Sequence, residues 1–491
     1  MVAAELRPGS AFLAADAVAR MTGGRLLAGS GVARAVSTDS RTLREGDLFL
    51  ALEGARFDGH DFLVDAVRAG AAGLVVRRAE GTWFDRLPPG VFCVRVRDTG
   101  KAYLDLAAAW RRACPARVVA VSGSCGKTTT KDFLAALCTP LAALVVAEKS
   151  FNNRVGVPKT IFRLDARSEL CILELGTNRR GEIAELAAAA APDVAVLTMI
   201  GRGHLEGLGD LEGVLEEKAA LLDALSEDGI CVLPADDPRA EKLAARAGSR
   251  RILRFGLRSG ADLRALDPRP REGGMVVTIL DRTEGDESRV PIEVPLPGAH
   301  NLRNLCAALA AGRGLGFPLE SLLAEVPRLR GPSRRLERKS GWRGATLLDD
   351  SYNANPESLQ AALAVLDTWP GARRRFLLLG DMAELGEAGP ALHEELGTSL
   401  GGRIDGLFSL GPLASVAASA FRKADPGSLV RSFDRAEECL AFLRDLLGSG
   451  DVLLIKGSRV MALDRIADAL IPGAEDRGAP PFSCSTSSSS I

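Results

Sequence analysis

Histidine and paired cysteine are what this sequence most lacks. It has four histidines in 491 residues, and its nine cysteines stand singly with no CxxC pair. That scarcity excludes a structural zinc framework, and an odd, scattered cysteine set suits a reducing compartment better than a disulfide scaffold. No apolar run approaches the ~20 residues of a membrane helix. The opening stretch, Met1 to Arg20, carries Glu5 and Asp16 and lacks the unbroken apolar core of a signal peptide. Charge of one sign is lacking too: 62 basic side chains face 63 acidic ones, for a net charge of -1. No broad positive field is therefore available to gather nucleic acid, although a local basic pocket remains compatible. The expectation is a cytoplasmic protein with no nucleic-acid partner and no membrane insertion.

A chain of 51.7 kDa is too long for one ordinary core. Apolar β-rich runs at Leu74–Val76, Val118–Val121, Leu170–Leu175 and Val194–Ile200 alternate with Ala/Leu/Glu-rich segments, which implies βα units and mainly parallel sheet. The runs Thr346–Leu348, Phe376–Leu379, Leu407–Leu410 and Val452–Ile455 repeat the pattern later. An alanine-rich helical segment containing Trp110 stops at Pro115, and a Gly, Pro and Arg stretch lies at 330–335. The predicted fold class is α/β with three domains: a smaller N-terminal α/β domain (1–114), a central P-loop ATPase-type parallel sheet (115–330) and a C-terminal doubly wound, Rossmann-like domain (331–474). The Ser-rich end, 475–491, reads as a disordered tail.

Val118–Val121 runs directly into Ser122-Gly123-Ser124-Cys125-Gly126-Lys127-Thr128-Thr129-Thr130, followed by helical sequence. Strand, glycine loop and helix arrive in the order that phosphate binding needs. Gly123 and Gly126 let backbone N–H groups of the Gly123–Thr129 segment wrap a phosphate, Lys127 reaches the outer phosphates, and the Thr128 hydroxyl suits magnesium. Val121 takes the place of the loop's usual first glycine. The loop implies ATP or GTP and leaves the fate of the phosphate open.

Glu174 ends one predicted strand, and His204 follows another after a glycine-containing loop, so both should face the crevice of the phosphate loop. Glu174 reads as a magnesium ligand or as a helix-capping charge. His204 reads as a ligand or as a hydrogen-bonded structural residue. Lys218, on a predicted helix, reads by sequence physics alone as part of a solvated charged face.

These motifs, together with others along the chain, resemble the Mur ligase family from about Ser37 to Ala469. The N-terminal part contributes Asp39-Ser40-Arg41, Gly46–Phe49 and Asp58–Phe62. The centre contributes SGSCGKTTTK, Asn152-Asn153 with Gly156-Val157-Pro158, ELGTNRRGEI, GHLEGLGDLEG and PGAHNLRN. The last third contributes DDSYNANP (Asp349–Pro356), LGDMAELG (Leu379–Gly386) and IKGSRVM (Ile455–Met461). Within the family, Ser351–Asn355 stands where ligases adding single amino acids show a histidine-containing motif. That points to the branch that adds D-alanyl-D-alanine to UDP-N-acetylmuramoyl-tripeptide.

The resemblance implies an ATP-dependent amide ligase working through an acyl phosphate, with the dipeptide and the UDP-linked tripeptide as small-molecule substrates and a monomer as the working unit. The alternative is a sister ligase adding one amino acid, or glutamate to folate. The resemblance also implies two magnesium ions held by Thr128, Glu174, His204 and Lys218, the last carbamylated. Lys127 and Asn153 join the catalytic set, with Asn153 a neighbour of metal or substrate. Asn301 becomes the adenine contact, and Arg335 and Asp350 nucleotide contacts. Asp39, Ser40 and Arg41 belong to the uridine nucleotide site, and Asn353, Asn355, Lys456, Ser458 and Arg459 to the substrate contacts. Asp350 also reads as a helix cap, and Lys456 and Arg459 as solvated charge. Three points stay open: whether Arg334 or Arg335 takes the nucleotide role, what Cys125 does inside the loop, and whether the third peptide residue is lysine or diaminopimelate.

Overall fold

In the computed structural model the described residues are 12–54, 57–78, 86–271 and 273–473. The first part of the N-terminal stretch (residues 1–11) and the Ser-rich tail (475–491) lie outside them. Three sheets organise the chain among the described residues. The first has the strand order Arg25–Ala28, Phe92–Arg95, Gly73–Val76, Leu48–Leu50, Val36–Ser37, parallel except for its first strand.

The helix Thr99–Ala113 then leads into the centre. Asp98 caps it by accepting from Lys101 N at 2.9 Å, and Pro115 follows its end. This helix packs to both sides of the predicted boundary. Trp110 is buried against Phe12, yet its Nε1 donates to Leu164 O at 3.0 Å, and Arg111 donates to Ala190 O at 3.1 Å and Asp193 Oδ2 at 2.9 Å.

The central sheet has the order Ser288–Val294, Gly274–Asp281, Leu263–Arg271, Arg251–Gly256, Ile230–Pro234, Val194–Leu197, Arg117–Ser122, Leu170–Glu174, Leu144–Val146. From Leu263–Arg271 onward the neighbours are parallel, and the two strands beyond it form an antiparallel extension at that edge. Val118, Val119, Ala120 and Val121 are all fully buried, because helices cover both faces of a parallel sheet and each side chain of the strand meets one of them.

The third sheet runs Glu337–Ser340, Thr346–Asp350, Asp451–Lys456, Arg374–Gly380, Gly406–Leu410, Leu429–Phe433, with only the first strand antiparallel. Separate apolar clusters lie on its two faces, one around Leu348, Leu377 and Leu454 and one around Phe376, Phe408 and Ile455. Thr346–Asp350 and Asp451–Lys456 end side by side near the point where the strand order turns back, the place where such sheets open a crevice. No helix of the described residues is long and apolar enough to cross a membrane.

Candidate active site

The phosphate loop bridges the strand Arg117–Ser122 and the helix Lys127–Cys138. Gly123 has φ 138° and Gly126 φ 83°, both in the left-handed half of the map. A Cβ on Gly123 would stand 2.0 Å from Thr198 Oγ1, and one on Gly126 2.4 Å from Asn304 Oδ1. Glycine is thus required twice, by backbone angle and by close approach. The loop is pinned from the neighbouring strand end: Ser124 N donates to Met199 O at 2.9 Å, Ser124 Oγ to Gly201 O at 3.0 Å, and Thr198 Oγ1 to Cys125 O. Thr129 is buried beneath it.

Lys127 curls over this loop, with Nζ donating to Gly123 O at 2.8 Å and Ser124 O at 3.4 Å. Both acceptors are neutral carbonyls, weaker partners for an ammonium than a phosphate oxygen would be. Burial lowers the pKa of Lys127 below its usual 10.5, and Glu174 opposes that shift.

Glu174, at the buried end of its strand, accepts from Thr128 Oγ1 at 2.8 Å and from Asn152 Nδ2 at 2.8 Å. The neighbour of this carboxylate is therefore Asn152. Asn153 is turned elsewhere: its Oδ1 accepts from Val155 N at 3.1 Å and Gly156 N at 2.8 Å, holding the start of the helix Gly156–Ile161. Two adjacent asparagines point apart because one is used by a turn and the other by the site.

Lys218 lies on the helix Leu211–Asp223, and its side chain is fully buried rather than part of a solvated face. Val214, Leu215, Lys218, Leu221 and Leu222 share one buried stripe at helical spacing. Adjacent Glu217 is committed to the helix Glu182–Ala190, accepting from Gly181 N at 2.6 Å and Ile183 N at 2.8 Å. Lys218 Nζ is buried without a hydrogen-bond partner among the described residues. Burial, reinforced by the charge of Lys127, holds its pKa well below 10.5.

His204 takes a left-handed backbone, φ 60°, just before the helix Leu205–Leu208. Its Nδ1 lies 2.7 Å from Glu384 Oε2, without the alignment of a full hydrogen bond. Burial lowers the imidazole pKa below 6.5, and the contact with His204 lowers that of the Glu384 carboxyl. The pair is a neutral ring facing an ionised carboxylate.

Of the four candidate metal-holding side chains, Thr128 and Glu174 touch. His204 and Lys218 share the electrostatic field of Lys127 but not one another's hydrogen bonds. A carboxylate, a hydroxyl, a neutral imidazole and an unpartnered amine around one phosphate loop fit a magnesium–nucleotide site once the amine gains an oxygen ligand. Elsewhere, Glu53, Asp58 and His60 bring potential ligand atoms within 4.8 Å of one another. Those carboxylates are already paired with Arg77 and Arg78, so that cluster is an ion-pair network.

The third sheet supplies the facing wall. Arg335 Nη2 donates to Thr128 Oγ1 at 3.0 Å, and its guanidinium lies over the ring of Tyr352, 4.3 Å from the centroid. Arg334 turns outward to Asp464 and Asp468. Tyr352 donates to Ser150 Oγ at 2.6 Å, Cys125 Sγ to Asn355 Oδ1 at 3.1 Å, and Arg202 Nε to Glu357 Oε1 at 3.1 Å. Burial raises the thiol pKa of Cys125, so the protonated donor is its resting form. Asn355 also caps the helix Pro356–Asp367 through Ser358 N at 2.8 Å.

Asp350 is not the cap of that helix; it pairs with the buried Lys456 ammonium at 2.5 Å, and Lys456 also donates to Asn353 O at 3.1 Å. Lys456 is therefore not solvated charge. Asn353 Oδ1 accepts from Ala354 N at 2.9 Å, and Ser458 Oγ from Ala383 N at 2.7 Å. Arg459 is largely exposed and reaches Asp464 at 3.1 Å.

Two predicted groups sit at the margins. Asn301 is buried in the first turn of the helix Ala299–Gly314 and donates to Pro297 O at 2.8 Å. Asp39 and Arg41 bracket Ser40 in an N-terminal turn, where Arg41 clamps Asp39 through Nε at 2.9 Å and Nη2 at 2.7 Å and holds its carboxyl at about 2. Asn152, Tyr352 and Glu384 are the site residues that sequence reasoning did not single out. Each lies inside a quoted motif, and that membership was the available signal.

Comparison with known proteins agrees with this three-sheet architecture. Family models described as the Mur ligase family catalytic domain, the Mur ligase middle domain, and the Mur ligase glutamate ligase domain match residues 33–92, 121–312 and 334–459. A UDP-N-acetylmuramoyl-tripeptide--D-alanyl-D-alanine ligase of Bacillus subtilis is 33% identical over 441 residues, covering 90% of this chain and 93% of the relative. The crystal structure of MurF from Acinetobacter baumannii superposes with a TM-score of 0.83 at 28% identity, covering 93% of this chain and 98% of that one. The Thermotoga maritima MurF ligase in complex with ADP gives 0.79 at 30% identity, covering 90% and 98%. With a relative matched over nearly its whole length and three models matched in chain order, the chain belongs to the Mur ligase family.

Proposed function

We propose that this chain is an ATP-dependent ligase that joins D-alanyl-D-alanine to the terminal carboxylate of UDP-N-acetylmuramoyl-tripeptide, releasing ADP and phosphate. The observation that carries the reading is the meeting, in one crevice, of the phosphate loop, the unpartnered buried amine of Lys218 and the Asp349–Pro356 segment of the third sheet. The named activity of its relatives supports the same substrates. The reaction belongs in the cytoplasm, where ATP and nucleotide-linked precursors occur together.

A carboxylate is a poor electrophile, so it must first be activated. A carboxylate oxygen of the tripeptide attacks the γ-phosphorus, the bond to the β-phosphate oxygen breaks, and ADP leaves with the electron pair. Lys127 exchanges its loop carbonyls for the transferring phosphoryl oxygens, and Arg335 faces the same charge from the opposite wall. The dipeptide amine then attacks the acyl carbon, phosphate leaves, and the amine nitrogen loses its proton. Lys456, held at its strand end by Asp350, lines with Asn353 and Asn355 the side from which the amine enters.

Thr128, Glu174 and His204 would hold magnesium, which when bound neutralises charge on the phosphates. Lys218 completes this set as a carbamate. Its lowered pKa leaves a lone pair on Nζ, which bonds to the carbon of carbon dioxide as a proton departs, and the product is an anionic oxygen ligand. The amine's lack of any other partner supports this role.

The test is mass spectrometry of products formed from ATP, D-alanyl-D-alanine and UDP-N-acetylmuramoyl-tripeptide bearing lysine or diaminopimelate in third position. A product one dipeptide residue heavier is expected with at least one acceptor, and the preferred acceptor identifies the third residue. ADP formation only with a single amino acid would overturn the assignment.

A further inference from the structure

The LGDMAELG segment has no part in the mechanism so far, yet it places a charged side chain against the site. Glu384 adopts φ 63°, and its partner across the junction, His204, adopts φ 60°. A left-handed backbone is unfavourable for a non-glycine residue. Two such residues meeting side chain to side chain are there because the side chains are needed.

Both sides of this meeting are braced. Glu206 N donates to Glu384 O at 3.1 Å, and a Cβ on Gly386 would stand only 3.4 Å from Glu206 Cα. Behind Glu384, Ala383 N donates to Ser458 Oγ at 2.7 Å, Met382 N to His393 Nε2 at 3.1 Å, and Ser458 N to Asp381 O at 3.0 Å. The carboxylate is thus delivered by a loop tied at successive residues to Ser458, just past the strand Asp451–Lys456, and to His393 in the helix Gly389–Ser399.

We propose that Glu384 is a positioning residue for the metal site: its carboxylate, 2.7 Å from His204 Nδ1 across the domain junction, aligns to take the Nδ1–H when the nucleotide site is occupied and leaves Nε2 as the lone-pair donor to the cation. The proposal rests on reading His204 as a magnesium ligand. A carboxylate behind a ligating histidine fixes the tautomer and the ring plane and raises ligand basicity. Because Glu384 comes from the third sheet and His204 from the central one, the ligand is correctly set only when the two are docked.

The experiment is a titration of Mn2+ by electron paramagnetic resonance into the full-length protein with a non-hydrolysable ATP analogue. Wild type is compared with Glu384→Ala, Glu384→Gln, His204→Ala and Arg202→Ala. Glu384→Ala is expected to weaken Mn2+ ten- to hundredfold, the range for removing a carboxylate behind a ligating histidine. Glu384→Gln, which keeps an acceptor but not the charge, is expected to weaken it less, and it serves in place of the alanine variant if that one does not fold. Arg202→Ala breaks a different junction contact, with Glu357, and is expected to leave Mn2+ within twofold. Wild-type affinity in the tested Glu384 variant, with loss in His204→Ala, would overturn the proposal while sparing the ligand reading. Wild-type affinity in His204→Ala would remove that reading itself. Equal weakening by Arg202→Ala would mean that Glu384 acts only by holding the junction together, and would also overturn the proposal.

Discussion

Arg335, carried by the third sheet, donates through Nη2 to Oγ1 of Thr128 in the phosphate loop at 3.0 Å, while its neighbour Arg334 turns to Asp464 and Asp468. Consecutive arginines are thus divided between the site and the surface. Arg335→Ala should lower kcat/KM about 10²- to 10³-fold, the usual cost of removing one preorganised donor to transition-state charge. Arg335→Lys should recover little, because lysine lacks the planar fork that lies over Tyr352. Arg334→Ala should leave kcat/KM within a few-fold. Steady-state ADP release for the three variants checks the division.

The loop and the strands were legible because their signals are local: Gly123, Gly126 and Lys127 follow a run of buried valines, and each predicted strand appears within a few residues of its expected place. The antiparallel extension Leu263–Val294 was not read, since edge strands carry polar residues on a solvated face and blur the alternation. The choice between Asn152 and Asn153 was equally hidden, because it depends on which of them a turn consumes. Lys218 could have been read. It sits four residues from Val214 and from Leu222 on a stripe otherwise apolar, and a lysine there is out of place unless something uses it.

That misplaced lysine yields a second prediction. Lys218→Met keeps the unbranched stem of the side chain and removes a buried, unpartnered amine. Burying such a group costs about 1–3 kcal/mol, so the variant should unfold at an equal or higher temperature than wild type in the absence of nucleotide. Ligation should fall below detection, because methionine cannot form a carbamate. Differential scanning calorimetry beside a product assay separates the two effects. A clear loss of stability would show that the amine is paired in solution.

The Asp350–Lys456 pair is buried at the ends of adjacent strands. Lys456→Ala strands the carboxylate and should destabilise the third sheet by about 3–5 kcal/mol, whereas replacing both partners, Asp350→Asn with Lys456→Met, should recover most of that loss. Chemical denaturation measures both. The double variant should remain inactive, because the paired charges that Asp350 and Lys456 bring to the site are gone.

The histidines, scarce as they are, act together on acid stability. Burial holds His60, His204 and His393 below the ordinary 6.5 and pushes His300 down to about 4. The direction of the pH effect follows from counting protons. Above pH 6.5 these rings are neutral in both the folded and the unfolded chain, and they contribute no slope. As pH falls below 6.5, the unfolded chain binds protons that the folded chain refuses, so stability drops until each folded ring titrates at its own depressed value. Each refused proton is worth about 1.4 kcal/mol per pH unit. The histidine contribution should therefore be flat from pH 7 to 8, where any remaining slope belongs to the depressed Lys218 amine, and stability should decline between pH 6.5 and 4.5. His300→Gln should make that decline shallower without altering the plateau slope, because the most strongly depressed ring no longer titrates. Thermal unfolding of wild type and His300→Gln across that range checks it. An unchanged acid slope would mean that His300 gains its proton in the folded state as readily as in the unfolded one.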